Sequence, residues 1–257
     1  MSDAWWKGFF DELYIALWSG SLTPERSRAQ AEGIWALAGL AAGSRVLDAP
    51  CGFGRIAKAL AEMGATVLGV DAAQAQIDAA EQTRGDVGAD RLRYRLHDLR
   101  EPLGETGFDV ALNVYSSLGY GSEDDDLAIL RTLAAAVRPG GTVLVEWHHR
   151  DAAIAALSRG APSGERLSDG TLFTERPRLD PLTGRNETVW SWAGPSGTGE
   201  KRASIRVYAV HELVALVRRA GLTVVSLHAG CTTEPFQLEG PKMGGRAAIL
   251  ARRPEAG

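Results

Sequence analysis

The chain has 257 residues, 45% of them hydrophobic and 23% charged, with a formal net charge of -4 and a pI near 5.8. This composition excludes a wholly disordered chain, a collagen-like chain and a coiled coil. The mild acidity gives no general attraction to nucleic acid, and no apolar run approaches the ~20 residues of a membrane helix. Two cysteines, Cys51 and Cys231, do not make a disulfide framework, and the N-terminus does not read as a secretory signal, so we expect a cytoplasmic protein.

Residues 1–42 are predicted to form a helical N-terminal cap. Apolar side chains from Phe9 to Leu17 recur at helical spacing and make one stripe. Gly20 and Ser21 break this helix. Thr23 and Pro24 then have the character of an N-cap and first helical residue, and the second helix is expected to run to about Leu40.

Residues 43–150 alternate short apolar runs with helical segments. This alternation predicts βαβ units in a doubly wound, Rossmann-like, mostly parallel sheet with helices on both faces, which has seven strands once the two strands of residues 209–257 are included. The strands are expected at 45–48, 65–71, 92–96, 108–114 and 142–147, and the helices at 55–63, 73–82 and 124–137. The acidic run 123–126 is interpreted as a solvated helix start.

Residues 151–208 are rich in Gly, Pro, Ser and Thr and contain short β-like pieces, so we expect a small antiparallel insert over a substrate site. Residues 209–257 return to the earlier pattern. They are predicted to supply a helix at 211–220 and two strands, at 222–228 and 246–251, that complete the sheet.

The segment from Asp48 to Gly54 follows the first strand and carries the clearest functional signal. Glycines at a strand-to-helix turn let a ligand approach the backbone closely, and Gly52, Gly54 and Ala57 match the dinucleotide pattern G-x-G-x-x-A. Asp48, however, would repel a pyrophosphate and suits a cationic ligand. Asp71 ends the next strand, and a carboxylate there can accept from both hydroxyls of a ribose. The pattern indicates a nucleoside with a nearby cation and no diphosphate.

At this point the sequence resembles the class I S-adenosylmethionine-dependent methyltransferases of the small-molecule type. The resemblance covers about residues 43–150 and 205–253. It is carried by five ordered motifs and a late helix-strand pair: the D-x-x-x-G-x-G loop at 48–54, the acid in Gly69-Val70-Asp71, the acid in His97-Asp98-Leu99, the fourth-strand motif at 108–117, the turn Arg138-Pro139-Gly140-Gly141, and residues 213–225.

The resemblance implies a role for each motif residue toward S-adenosylmethionine, with S-adenosylhomocysteine as product. The first loop would hold the methionine end, Asp71 the ribose, and Asp98 and its neighbours the adenine. Tyr14 is the N-terminal aromatic best suited to cover the cofactor. The expected cofactor-binding residues are Asp48, Ala49, Gly52, Gly54, Asp71, Ala72, Asp98, Leu99, Asn113 and Tyr14.

The catalytic candidates lie where the fourth and fifth strands end. His148 is the first choice as a general base because histidine titrates near ~6.5, with His149 and Tyr115 next. No set of side chains suggests a metal site. The expected acceptor-binding residues are Tyr120, Trp190, Arg206 and Tyr208; the alternative for the tryptophan face is packing on the main sheet.

These observations predict an enzyme that transfers a methyl group from S-adenosylmethionine to an O, N or C atom of a small molecule. Specialised metabolism is one setting in which such an enzyme would act. Two alternatives remain. One is an NAD(P)-dependent oxidoreductase, based on the glycine pattern, and the other is a non-catalytic nucleoside-binding module. No nucleic-acid or membrane partner is expected, and a homodimer is left open.

Overall fold

The computed structural model describes residues 5–19, 22–115, 117–158, 163–167, 169–195, 197–237 and 245–255. The predicted break at Gly20 and Ser21 lies outside these residues. The helices are α1 (Trp6–Phe9), α2 (Glu12–Ser19), α3 (Pro24–Ala38), α4 (Arg55–Glu62), α5 (Gln74–Thr83), α6 (Glu123–Ala136), α7 (Arg150–Ser158) and α8 (Val210–Arg219). In the part of the chain so described, no helix has the length and apolar character to cross a membrane.

Seven strands form the main sheet, in the order β10-β11-β5-β4-β1-β2-β3. They are β1 (Arg45–Asp48), β2 (Thr66–Asp71), β3 (Leu92–Leu96), β4 (Phe108–Asn113), β5 (Val137–His148), β10 (Thr223–His228) and β11 (Arg246–Arg252). The first five pair in parallel, and β11 runs antiparallel to both β5 and β10. The predicted seven-stranded, mostly parallel sheet is confirmed.

Alternating side chains of the central strands bury both faces of this sheet. Leu47, Ala111 and Val143 belong to a core that includes leucines of α6 and α8. Val46 and Leu144 belong to a second core, on the other face, that includes residues of α3 and α4. Because successive side chains of a strand point to opposite faces, a continuous apolar run serves both cores, and this is why these strands lack polar alternation.

A second sheet has four antiparallel strands in the order β6-β7-β8-β9. They are β6 (Ser163–Arg166), β7 (Leu172–Asp180), β8 (Arg185–Gly194) and β9 (Gly197–Arg206). The antiparallel character expected for 151–208 is confirmed. Trp190, on β8, packs against Phe9 and Phe173, so this face covers the N-terminal helices.

Three local predictions differ from the structure. The single helix expected from Phe9 to Leu17 is two helices, because Asp11 accepts a hydrogen bond from the Tyr14 amide and starts α2 anew. Helix α7 was not expected. Strand β5 begins at Val137, so the predicted turn at 138–141 lies within the pairing strand.

The start of α3 follows the sequence signal. The Thr23 hydroxyl accepts from the Arg26 amide at 3.3 Å, Pro24 is the first helical residue, and Gly39 ends the helix with φ +64°. Side-chain capping and a left-handed glycine satisfy the free backbone groups at the two ends.

Candidate active site

An open cavity lies at the carboxyl ends of β1, β2, β3 and β4. This is where ligands bind in doubly wound sheets. Helices α1 and α2 contribute its roof. The predicted site residues that line it are Asp48, Gly52, Asp71, Ala72, Asp98, Leu99, Tyr14, Tyr115 and Tyr120.

Asp48 is a buried carboxylate without a hydrogen-bond partner of normal geometry at either oxygen. Burial raises the pKa of this carboxyl to about 7, although the Arg55 guanidinium and the Ala57 amide oppose the shift. An unpaired buried charge is costly, so this position favours a cationic ligand group that would pair with it.

Asp71 stands at the end of the neighbouring strand. Its two oxygens accept from the amides of Gly52 at 3.0 Å and Ala73 at 2.9 Å. Burial raises the pKa of Asp71 to about 6 against the effect of these amides. Each carboxylate oxygen has a second lone pair, so Asp71 can still accept from a ligand diol while it fixes the glycine loop.

Asp98 is held by an arginine that sequence reasoning did not single out. Arg100 Nη2 lies 2.6 Å from Asp98 Oδ2, and a second contact joins Arg100 to Asp125 at 3.4 Å. The Arg100 guanidinium also lies 5.3 Å from the Trp6 ring. This cluster and buried Leu99 border the end of the cavity that follows β3.

The two glycines of the loop are required for different reasons. Gly52 lines the cavity with φ +53°, a conformation that side chains rarely adopt. Gly54 has φ +80°, and a side chain there would overlap the Tyr94 ring, whose hydroxyl donates to the Gly54 carbonyl at 3.2 Å. Gly52 therefore leaves room at the ligand, whereas Gly54 allows α4 to pack on the sheet.

Tyr115 occupies a backbone conformation that is uncommon outside glycine, with φ +66°. Its amide donates to Glu146 Oε2 at 3.1 Å, and the same carboxylate pairs with Arg246 at 3.0 Å. Its ring contacts the guanidinium groups of Arg55 and Arg246, each 4.2 Å from the centroid. Such a strained, heavily restrained residue is typical of a functional site.

The roof of the cavity is aromatic. Tyr14 packs parallel to Trp190 at 5.9 Å, and Phe10 stacks on Tyr120 at 5.5 Å. Burial raises the pKa of Tyr14 to about 12, so its hydroxyl stays protonated at neutral pH. Trp190 lies behind Tyr14 and does not itself line the cavity.

Both histidines lie outside the cavity lining. The His149 ring is fully buried against Phe236, at 5.1 Å, and its Nδ1 accepts from the Ala152 amide. Burial, together with nearby Arg246 and His149, lowers the pKa of His148 to about 4. Neutral His148 could accept a proton at pH 7 but would be a weak base. Its catalytic role stays a prediction.

Ala49 and Asn113 are buried and do not line the cavity. Asn113 Nδ2 donates to the Ala49 carbonyl at 2.8 Å and to Ser117 Oγ at 2.7 Å, both buried contacts. These bonds tie the ends of β1 and β4 together. Ser116, which belongs to the fourth-strand motif, lies outside the residues that the structure describes.

Arg206 and Tyr208, expected to bind the acceptor, do not line the cavity and contact α6 and the segment before it. Arg206 pairs with Glu123 at 2.8 Å, and its amide donates to the Gly119 carbonyl. The Tyr208 hydroxyl donates to Asp126 at 2.5 Å. Asp126 is buried and also accepts from the Gly119 amide, so the interpretation of 123–126 as wholly solvated is wrong at this residue.

Residues 46–141 match the family model described as a methyltransferase domain. The chain shares its fold with solved S-adenosylmethionine-dependent methyltransferases, so the fold that the resemblance in the sequence implies is confirmed.

Similar solved structures extend over nearly the whole chain. The CcbJ methyltransferase from Streptomyces caelestis superposes with a TM-score of 0.73 at 22% identity, covering 91% of each chain. A S-adenosylmethionine-dependent methyltransferase from Clostridium acetobutylicum gives 0.74 at 12% identity, covering 94% of this chain and 96% of that one. CalS10 from Micromonospora echinaspora, an amino pentose methyltransferase, gives 0.66 at 19%, covering 94% and 97%.

Among curated proteins, the ubiquinone biosynthesis O-methyltransferase of Sinorhizobium medicae is 37% identical over 118 residues, which are 45% of this chain and 46% of that protein. Methyltransferase GfsG of Streptomyces halstedii is 28% identical over 144 residues, or 53% and 51%. The chain thus spans about half the length of the curated relatives it matches.

Proposed function

We propose that this protein is an enzyme that transfers a methyl group from S-adenosylmethionine to an oxygen or nitrogen atom of a small molecule. The observation that carries the proposal is the pair Asp48 and Asp71. Buried Asp48 and half-buried Asp71 lie at neighbouring strand ends, and both line one cavity. A carbon atom is the alternative acceptor.

The side chains present fit the cofactor that the fold implies. Asp48 is an unpaired acceptor for an amino group, and Asp71 can accept from a ribose diol. Asp98, Leu99 and the aromatic roof offer a partly apolar border for a purine. S-adenosylmethionine supplies an electrophilic methyl group on a sulfonium, so the protein itself needs to orient the acceptor and exclude water.

The nicotinamide alternative fits less well. A dinucleotide pyrophosphate would meet the Asp48 carboxylate at the loop that should receive it, and like charges repel. The similar proteins named above are all methyltransferases and do not favour this reading.

We further propose the division of the chain expected from its sequence. Residues 1–42 would act as a cap, 43–150 as the cofactor-binding core, 151–208 as a lid over the acceptor, and 209–257 as the completion of the sheet. The contact of Trp190 with Phe9 and Tyr14 supports a joint cover made by cap and lid. The cytoplasmic location, the lack of a nucleic-acid partner and a homodimer stay predictions.

Methyl-labelled S-adenosylmethionine tests the acceptor class. The protein is incubated with the label and with separate fractions of an extract: ultrafiltered small molecules, nucleic acids and proteins. We expect label in the small-molecule fraction and its loss with Asp71→Ala. Label confined to nucleic acid or protein would contradict the proposal.

A further inference from the structure

Successive backbone carbonyls in the segment between β4 and α6 turn toward the guanidinium of Arg185, on β8. It donates to the carbonyls of Gly119 at 2.9 Å, Tyr120 at 3.0 Å and Gly121 at 3.1 Å. Carbonyl dipoles whose negative ends converge repel one another, and the planar fork of N–H groups of an arginine can bind several such acceptors together. The backbone conformation of this segment therefore depends on Arg185.

The same guanidinium is also fastened to the small antiparallel sheet. Its Nη2 donates to the Ser204 carbonyl at 2.7 Å, and its Nε donates to the Ser204 hydroxyl at 2.7 Å. That hydroxyl in turn donates to Glu187 at 2.6 Å. Because Ser204 is buried in the sheet, these bonds fix the direction of the Arg185 side chain. The arginine thus joins β8 and β9 to the segment after β4.

Tyr120, in the middle of this segment, lines the ligand cavity. Its ring stacks on Phe10 at 5.5 Å and lies 5.3 Å from the Trp5 ring. The Trp5 indole donates at 3.2 Å to the same Tyr120 carbonyl that Arg185 binds. One peptide group therefore receives hydrogen bonds from the start of the N-terminal helices and from the small sheet, while its side chain forms part of the cavity wall.

The backbone of the segment has a second attachment that does not involve Arg185. The Gly119 amide donates to Asp126 at 2.9 Å, and the Arg206 amide donates to the Gly119 carbonyl at 2.8 Å. Gly119 has φ +91°, and a side chain there would overlap the Arg206 carbonyl. Loss of the Arg185 donors is therefore expected to leave the segment attached at Gly119 and to release the backbone at Tyr120.

Building on the proposed function, we propose that Arg185 is a positioning residue of the active site, which holds Tyr120 in place as a wall of the cavity that receives S-adenosylmethionine. Arg185 is not among the described residues that line the cavity, so it acts through the carbonyls that it binds. Its effect on ligand affinity therefore passes through the Tyr120 ring.

Calorimetry of the full chain with S-adenosylhomocysteine tests this role. Arg185→Met keeps the apolar stem but removes the donors, and we expect affinity to fall about tenfold. Arg185→Lys should lose only about threefold, because an ammonium has donors but no planar fork. Arg176→Met is the matched control, since Arg176 is exposed on β7 and its side chain donates to Ser191 within the same sheet. Its affinity should stay within about twofold of wild type.

Tyr120→Leu separates positioning from a general structural role. In this background Arg185→Met should weaken S-adenosylhomocysteine by less than about twofold, because the ring that Arg185 positions is gone. The melting temperature should nevertheless fall by the same amount on Arg185→Met in both backgrounds, since the backbone carbonyls lose their donors in either case.

Two results would overturn the inference: wild-type affinity in a folded Arg185→Met variant, or an undiminished loss of affinity when Arg185→Met is combined with Tyr120→Leu. If Arg185→Met does not fold, Arg185→Lys decides, and wild-type affinity in that variant would reject the role. Failure of the wild-type protein to bind S-adenosylhomocysteine would instead reject the proposed function, and the inference would fall with it.

Discussion

At the scale of single residues, burial of the Asp48 carboxyl has a cost in stability, and we propose that its carboxylate binds the ligand. Its carboxyl has a pKa of about 7 in the folded protein, against about 3.9 in an unfolded chain. At a pH between these two pKa values, the carboxyl is therefore protonated in the native state and ionised in the unfolded state. Stability is full below the unfolded pKa and falls as pH rises through 7.

Asp48→Asn should stabilise the ligand-free protein because an amide cannot ionise. We expect the melting temperature to rise by about 4 °C or more at pH 8, and by less at pH 5. Asp86→Asn is the control, since Asp86 is exposed and its replacement should change little. Equal or lower melting temperatures for Asp48→Asn at pH 8 would contradict the assignment of an unpaired buried charge.

The pKa of Asp48 also predicts how the affinity for S-adenosylhomocysteine depends on pH. A ligand ammonium pairs with ionised Asp48, so binding of S-adenosylhomocysteine should be strongest above pH 7 and fall up to about tenfold per unit below it. Asp71, with a pKa of about 6, would add to the fall at lower pH. Calorimetry from pH 5.5 to 8 measures the slope. A flat profile in wild-type protein, or an unchanged slope in Asp48→Asn, would count against this role.

Tyr208 illustrates a residue whose predicted role the contacts do not support directly. Its hydroxyl donates to buried Asp126, which in turn binds the Gly119 amide. Tyr208→Phe should cost about 1–2 kcal/mol of unfolding free energy, because it leaves Asp126 with one donor fewer. Denaturant unfolding measures this. A change in acceptor KM with full stability would instead restore the acceptor-binding role.

At the scale of elements, the N-terminal helices are fastened to the rest of the molecule at their junction. Lys201, on β9, donates to the Phe9 carbonyl at 2.9 Å and pairs with Asp11 at 2.5 Å. Gln76, on α5, donates to the Phe10 carbonyl at 3.1 Å. These contacts join the small sheet and the main domain to the aromatic roof.

Lys201→Met should loosen the roof while keeping most of the side-chain stem. We expect S-adenosylhomocysteine to dissociate about three to tenfold faster, a rate that stopped-flow fluorescence of the nearby tryptophans can measure. Arg202→Met, at the next position of β9 and paired with exposed Glu200, is the matched control. Identical dissociation rates in both variants would show that the roof does not retain the ligand.

At the scale of the whole molecule, the sequence predicted the sheet because strand and helix periodicity is local. The apolar runs at β1, β4 and β5 and the capped start of α3 contain their own signals. The motif acids were likewise placed at strand ends, and parallel strands bring such ends together.

What the sequence left out depends on distant contacts. From the sequence, Asp126 looks like one more acid of a solvated run. In the structure its carboxylate accepts a hydrogen bond from Tyr208, which is 82 residues away in the chain. Arg55 gives one local signal, a cation at a helix start, but its neighbours Gln30 and Tyr115 come from other elements. His148 ends β5 and His149 follows it, as the sequence predicted, yet neither side chain lines the cavity.

The most direct test of the account is calorimetric titration of the purified protein with S-adenosylhomocysteine, with NAD(H) and NADP(H) as controls. We predict a dissociation constant on the order of 1–10 μM for S-adenosylhomocysteine and no heat of binding for either dinucleotide. Binding of a dinucleotide without binding of S-adenosylhomocysteine would contradict it and would assign the cavity to the nicotinamide alternative.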